Sequence, residues 1–189
     1  RPPLSAPTAA SAASVVNQRQ ACILAAWFYT GGSHPYGYAG LGETFVFIFF
    51  GLVAVGGTVY VQADHVGTAG WVTACVIGAM ACAVLVANNL RDIDGDRVSG
   101  KHTVATKLGH QGTRILYLVL VALACVGVIV VAALSTWWVL LGLLMVILLV
   151  SPVKALATKA TGMALVPVLK NTGRAEWLCA GGLLVGALL

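Results

Sequence analysis

Long apolar runs separated by short polar stretches organise this chain. Four runs are clear, at residues 44–61, 71–87, 115–134 and 137–150. Two more, residues 21–28 and 177–189, need their neighbours to reach a comparable length. Crossing ~30 Å of hydrocarbon takes about 20 apolar residues in helical form. Hydrocarbon also demands that the backbone satisfy its own hydrogen bonds, which a helix does internally. The pattern predicts an all-α fold, a multi-pass transmembrane helical bundle with one helix for each of these six runs.

Three polar stretches interrupt the runs, at residues 29–43, 88–114 and 151–174. Counting helices between them places all three at the same face of the membrane, where loops from different helices can build one site. Pro167 is expected to kink or interrupt any helix around it, so residues 162–170 read as a short interfacial element. No solenoid repeat and no second soluble domain is visible. The organisation expected is an irregular Ala/Ser/Pro-rich arm over residues 1–20 followed by a transmembrane domain over 21–189.

Composition strengthens the membrane reading. Hydrophobic residues make up 59% of the chain and charged residues 9%, against about a quarter charged in soluble domains. A net charge of +5 raises the question of nucleic acid, but the positions answer it. After Arg19, every Lys and Arg falls in one of two loops. Arg91, Arg97, Lys101, Lys107 and Arg114 share the first, and Lys154, Lys159, Lys170 and Arg174 the second. Two helices separate the loops, so the positive-inside rule makes their common side the cytoplasm. The charge is a topology signal, and no nucleic-acid partner is expected. Five single cysteines, without a CxxC pair, read as small apolar fillers.

The chemistry concentrates in NNLRDIDGDRVSGKHT, residues 88–103. A helix continuing through it advances only ~40° per four residues, so Asn88, Asp92 and Asp96 share one face. Asp94 points away, within i,i+3 reach of Arg91. Two carboxylates and an amide are hard oxygen ligands, and Mg²⁺ characteristically uses one or two carboxylates plus substrate phosphates. Gly100 permits the helix to end, leaving Arg97 and Lys101 near enough to counter phosphate charge. A calcium loop is excluded, since Arg97 and Thr103 stand where its Gly and Glu belong. An ion carrier would place ionisable groups near the midplane, where these helices hold none.

A second polar segment, YTGGSHPYGYAGLGE over residues 29–43, combines backbone freedom at its glycines with Tyr29, Tyr36 and Tyr38. The tyrosines can hydrogen-bond phosphate or face a developing cation. The same features suit an ordinary interfacial loop, and the segment alone does not choose between them.

Together with ALVPVLKNTG, residues 164–173, these segments resemble the UbiA-type membrane prenyltransferases. Within that family the likeness is greatest to the bacterial branch that prenylates 1,4-dihydroxy-2-naphthoate in menaquinone synthesis. The resemblance covers the chain from about Ala26 onward. It implies an intramembrane bundle of about nine helices in a bacterial cell membrane, with its active site on the cytoplasmic side. It implies two Asp-rich motifs that bind a polyprenyl diphosphate through Mg²⁺. The family motif NxxxDxxxD falls on Asn88, Asp92 and Asp96, making them metal ligands with the two aspartates catalytic. Arg97, Lys101, Tyr29, Tyr36 and His34 become substrate contacts. The implied reaction gives demethylmenaquinone with loss of the acceptor's carboxylate.

Two departures stand out. No Asp precedes Asp64, so the first acidic motif is missing, and His34 stands where the family commonly carries Lys or Arg. The chain therefore reads as the C-terminal two-thirds of such an enzyme, expected to have little activity alone. The alternatives are a related prenyltransferase with another aromatic acceptor, or a non-enzymatic membrane carrier. A CDP-alcohol phosphotransferase is disfavoured because its single dense DG/AR/DxxxD run is absent.

Overall fold

The computed structural model describes residue 27 and residues 40–189. Five long helices occupy the latter span. We name them α1 (Gly42–Ala63), α2 (Thr68–Val98), α3 (Val104–Leu134), α4 (Trp137–Ala157) and α5 (Val166–Leu188). The first four are long and apolar enough to cross a membrane. The shorter run at 177–189 is the C-terminal part of α5, and no strand occurs among the described residues. Apart from residue 27, the sixth expected helix, over 21–28, lies outside the described residues, as does the arm over 1–20.

Local chemistry explains the helix ends. Gly67 is extended before α2, and the far end of that helix closes at Ser99, with Gly100 left-handed at φ 73°. Thr103 caps α3, its hydroxyl accepting the Thr106 N–H at 3.2 Å. Gly109, at φ 66°, breaks α3 into a short first segment and a long second one, a conformation in which a side chain would be strained. α1 is π-helical over Phe47–Gly56, and α4 begins as a 3-10 helix over Trp137–Leu144.

One expectation needs correcting. Residues 162–170 are not a separate interfacial element. A 3-10 turn at Gly162–Leu165 leads directly into α5, where Pro167 falls in the first turn. There its missing N–H costs nothing, since the first N–H groups of a helix have no internal partner.

Small residues set the closest helix crossings, as is usual where packing rather than hydrophobicity drives association. A side-chain carbon on Gly51 would meet Gly78 Cα at 2.7 Å, so α1 and α2 cross backbone to backbone. Gly182 and Gly186 of α5 lie equally close to the 3-10 turn of α4. One core cluster, including Met80, Val128, Met145 and Cys179, fills the bundle at this level. A second, including Val86, Leu90, Ile93, Tyr117, Leu165 and Val168, underlies the charged end of α2. Tyr117 hydrogen-bonds Thr172 at 2.7 Å, joining α3 to α5, and Thr172 in turn donates to the Val168 carbonyl. The other face of α3 exposes Ile115, Val119, Leu123, Val126 and Val130, as hydrocarbon contact requires. Trp71, Trp137 and Trp138 are exposed at the end opposite the charged one, positions suited to a membrane interface.

Candidate functional site

The site begins with how α2 stops. The Lys101 N–H donates to the Asp96 carbonyl at 2.9 Å and the Gly100 N–H to the Arg97 carbonyl at 3.3 Å. These are the two bonds of a Schellman closure, which left-handed Gly100 makes possible. The chain turns back on itself, and Lys101 Nζ comes to 3.3 Å from Asp96 Oδ1. The Asp96 side chain is only 11% exposed, so its charge depends on that partner.

One turn earlier, Asp92 is gripped from both sides of its carboxylate. Arg91 Nε donates to Oδ1 at 2.7 Å and Nη2 to Oδ2 at 2.8 Å. This replaces the Arg91–Asp94 pair expected from sequence. Neighbours on a helix point ~100° apart, but the long Arg91 side chain reaches around to Asp92. Asp94, 77% exposed, meets Arg97 at 4.0 Å and His110 of α3 at 3.4 Å instead.

Asn88, Asp92, Asp96 and Lys101 all line one cavity of about 200 Å³. Glu43, Asn89 and Thr103 complete its polar wall, so the start of α1, the end of α2 and the start of α3 meet there. Asn89 donates to Glu43 Oε1 at 3.0 Å, fastening α1 to the acidic helix. Gly40 is left-handed, and a side chain there would come within 2.8 Å of Lys107 Nζ and 3.0 Å of the His102 carbonyl. Arg97 is not part of this lining, because it projects beside Asp94. Tyr29, Tyr36 and His34 lie outside the described residues.

The donor set suits a small divalent cation. Asp92, Asp96 and Asn88 offer hard oxygens, and a carboxylate has about four lone-pair positions. Arg91 uses two of those on Asp92. Among the described residues no cluster of three or more His, Cys, Asp and Glu side chains is poised as a metal site. A cation here would therefore need oxygens from a ligand, as Mg²⁺ at phosphate sites does.

Sequence reasoning missed Glu43 and Asn89. Glu43 gave a weak signal, as the one acid ahead of Asp64. Asn89 is adjacent to the Asn88 motif but off its face, and only the packing of α1 shows what it does.

Comparison with known proteins agrees with these motifs. The model of the UbiA prenyltransferase family matches residues 20–187. The 1,4-dihydroxy-2-naphthoate octaprenyltransferase of Mycobacterium tuberculosis is 48% identical over 172 residues, 88% of this chain and 58% of that protein. The Escherichia coli protein of the same name is 38% identical over 152 residues, 79% of this chain and 49% of its own. That of Bacillus subtilis is 29% identical over 171 residues, 86% and 53%. The chain thus spans about half the length of the curated relatives it matches. No solved structure gives a significant match.

Proposed function

The chain belongs to the UbiA prenyltransferase family, and on that premise we propose that the full protein transfers a polyprenyl group from its diphosphate to an aromatic acceptor. The acceptor proposed is 1,4-dihydroxy-2-naphthoate, which appears in the names of the relatives. The immediate product is then the hydroquinone form of demethylmenaquinone, formed with loss of the carboxylate as carbon dioxide. The observation that carries this reading is the convergence of Asn88, Asp92, Asp96 and Lys101 on one cavity.

In this proposal Asn88, Asp92 and Asp96 hold Mg²⁺. When bound, the ion supplies Lewis-acid stabilisation of the charge that gathers on diphosphate oxygens. The Lys101 ammonium faces the same charge, preorganised by the Schellman turn rather than drawn in from solvent. The allylic C–O bond breaks with its electron pair leaving on the diphosphate, and an electron-rich ring carbon supplies the pair for the new C–C bond. Carbon dioxide then departs, returning its bonding pair to the ring. Tyr29, Tyr36 and His34, in the segment preceding α1, are proposed as further contacts to the substrate.

The apolar helices make the chain a multi-pass membrane protein. A bilayer is also where a polyprenyl tail resides, so a site at the polar end of the bundle meets both the lipid-borne donor and a water-borne acid. We assign that end to the cytoplasmic side of a bacterial cell membrane, on the strength of the basic loops.

The test uses full-length protein in lipid nanodiscs with Mg²⁺, radiolabelled polyprenyl diphosphate and a panel of hydroxylated aromatic acids. The expected result is prenylated product from 1,4-dihydroxy-2-naphthoate with one equivalent of diphosphate released. Product from a different acid alone would reassign the acceptor. Movement of the lipid diphosphate across the bilayer without diphosphate release would replace the enzyme by a carrier.

A further inference from the structure

Two apolar cavities flank the acidic one, on opposite sides of α1. The first lies among α1, α2 and α3, with Phe47, Leu116 and Leu120 in its walls, and adjoins the acidic cavity at Glu43. The second lies among α1, α2 and α5 and adjoins it at Leu85 and Asn88. Phe50, Val84 and Leu169 form apolar walls of this second cavity, whose volume is about 400 Å³. That size falls in the range of small-molecule sites.

Each is lined by one glutamate, and the two differ in what holds it: Glu43, in the first, accepts the Asn89 amide at 3.0 Å. Glu176, on α5, lines the second cavity and is its single ionisable residue. Carboxyl groups among membrane helices are costly and are retained where they serve a ligand or a pathway. The ion pairs among the described residues involve Asp92, Asp94 and Asp96. None of these ion pairs, and no side-chain hydrogen bond among the described residues, engages the Glu176 carboxylate.

We infer that Glu176 is the acceptor-binding residue, its carboxylate taking the hydrogen bond of a ring hydroxyl on an aromatic acid seated among α1, α2 and α5. The inference rests on the prenyl-transfer reading and extends it to the placement of the two substrates. A prenyl chain is hydrocarbon and offers an unengaged carboxylate nothing, so it suits the cavity among α1, α2 and α3, whose one carboxylate, Glu43, is already held by Asn89. A hydroxylated ring offers both a flat apolar body for Phe50, Val84 and Leu169 and an O–H donor for Glu176. Charge orients it further. The acceptor's own carboxylate is repelled by Glu176 and turns toward Asn88 and the Lys101 ammonium. The ring hydroxyl remote from that carboxylate then meets Glu176, and the reacting edge faces the diphosphate cavity. A hydroxyl donating to an anionic oxygen also releases electron density into the ring, which favours attack on an allylic cation.

The experiment compares E176A, E176Q and L169W with wild type in the full-length protein. Equilibrium binding of 1,4-dihydroxy-2-naphthoate, without donor, is measured beside KM for acceptor and for polyprenyl diphosphate. Losing a hydrogen bond to a charged group weakens binding by roughly tenfold or more. E176A is expected to weaken acceptor binding and raise acceptor KM by that factor, with donor KM within about twofold. E176Q should lose less, because its amide oxygen still accepts. L169W, which leaves the carboxylate in place, should weaken acceptor binding by filling the cavity. Unchanged acceptor binding in all three variants overturns the assignment, as does an equal rise in both KM values. If wild type binds the acid but transfers no prenyl group, the enzymatic reading falls while the Glu176 contact stands. If wild type turns over and Glu176 is indifferent, only the contact falls.

Discussion

Lys101 returns to Asp96 twice, its N–H to the Asp96 carbonyl at 2.9 Å and its ammonium to the Asp96 carboxylate at 3.3 Å. One turn of backbone thereby places a cation beside an acid five residues earlier. The relationship depends on Gly100 at φ 73°, since a residue with Cβ pays about 1–2 kcal/mol to adopt that conformation. G100V is expected to lower prenyl-transfer activity severalfold and to reduce thermal stability in detergent by a few degrees. Because Gly100 touches nothing else within 4 Å, wild-type activity and melting in G100V would show that the turn does not position the site.

Asp92 and Asp96 face the cavity while Asp94 faces Arg97 and His110. D92A and D96A are expected to cut kcat/KM by on the order of 10²-fold or more, the scale of a lost electrostatic stabiliser. D94A should stay within severalfold of wild type. Steady-state kinetics on all three in the full-length protein checks this, and equal losses would remove the helical-face assignment.

Chelation gives an independent check of the hard-oxygen donor set. Treatment with EDTA should abolish diphosphate release, and Mg²⁺ or Mn²⁺ should restore it, since both accept oxygen ligands. The D92A/D96A double variant should need a higher metal concentration for half-maximal activity, read from a metal titration. Full turnover in metal-free buffer would contradict the proposed role of Asn88, Asp92 and Asp96.

The packing of α4 on α5 makes a stability prediction that does not involve the site. A side-chain carbon at Gly186 would strike the Trp138 carbonyl, and one at Gly182 would lie 2.6 Å from Leu141 and Gly142 backbone atoms. G182L and G186V are expected to destabilise the protein by about 1–3 kcal/mol or more, seen as lower melting temperature and poor monodispersity in detergent. Gly181 has nothing within 4 Å, so G181L should behave as wild type. Similar behaviour of all three would mean that the two helices are not packed this closely.

Much of this protein was legible in the order of its residues, for a physical reason. Hydrocarbon admits few structures, so apolar runs of sufficient length translate directly into helices, and five runs lie in helices here. The face shared by Asn88, Asp92 and Asp96 follows from helical periodicity, a local property, and so does the helix end at Gly100. Pro167 shows the limit of local reading: the same residue breaks a helix from within and begins one at its first turn, and position decided between them.

What tertiary structure alone decided is everything that depends on which helices touch. Arg91 pairs with Asp92 rather than Asp94, while Asp94 is met by His110 from the neighbouring helix. Glu43 joins the acidic cavity because Gly51 and Gly78 let α1 press onto α2. Glu176 lies 80 residues from Asp96 in the chain, yet its cavity borders the acidic one at Asn88. Periodicity reports which way a side chain points from its own helix axis. It carries no information about the neighbour waiting there, because that is set by crossings that a few glycines permit.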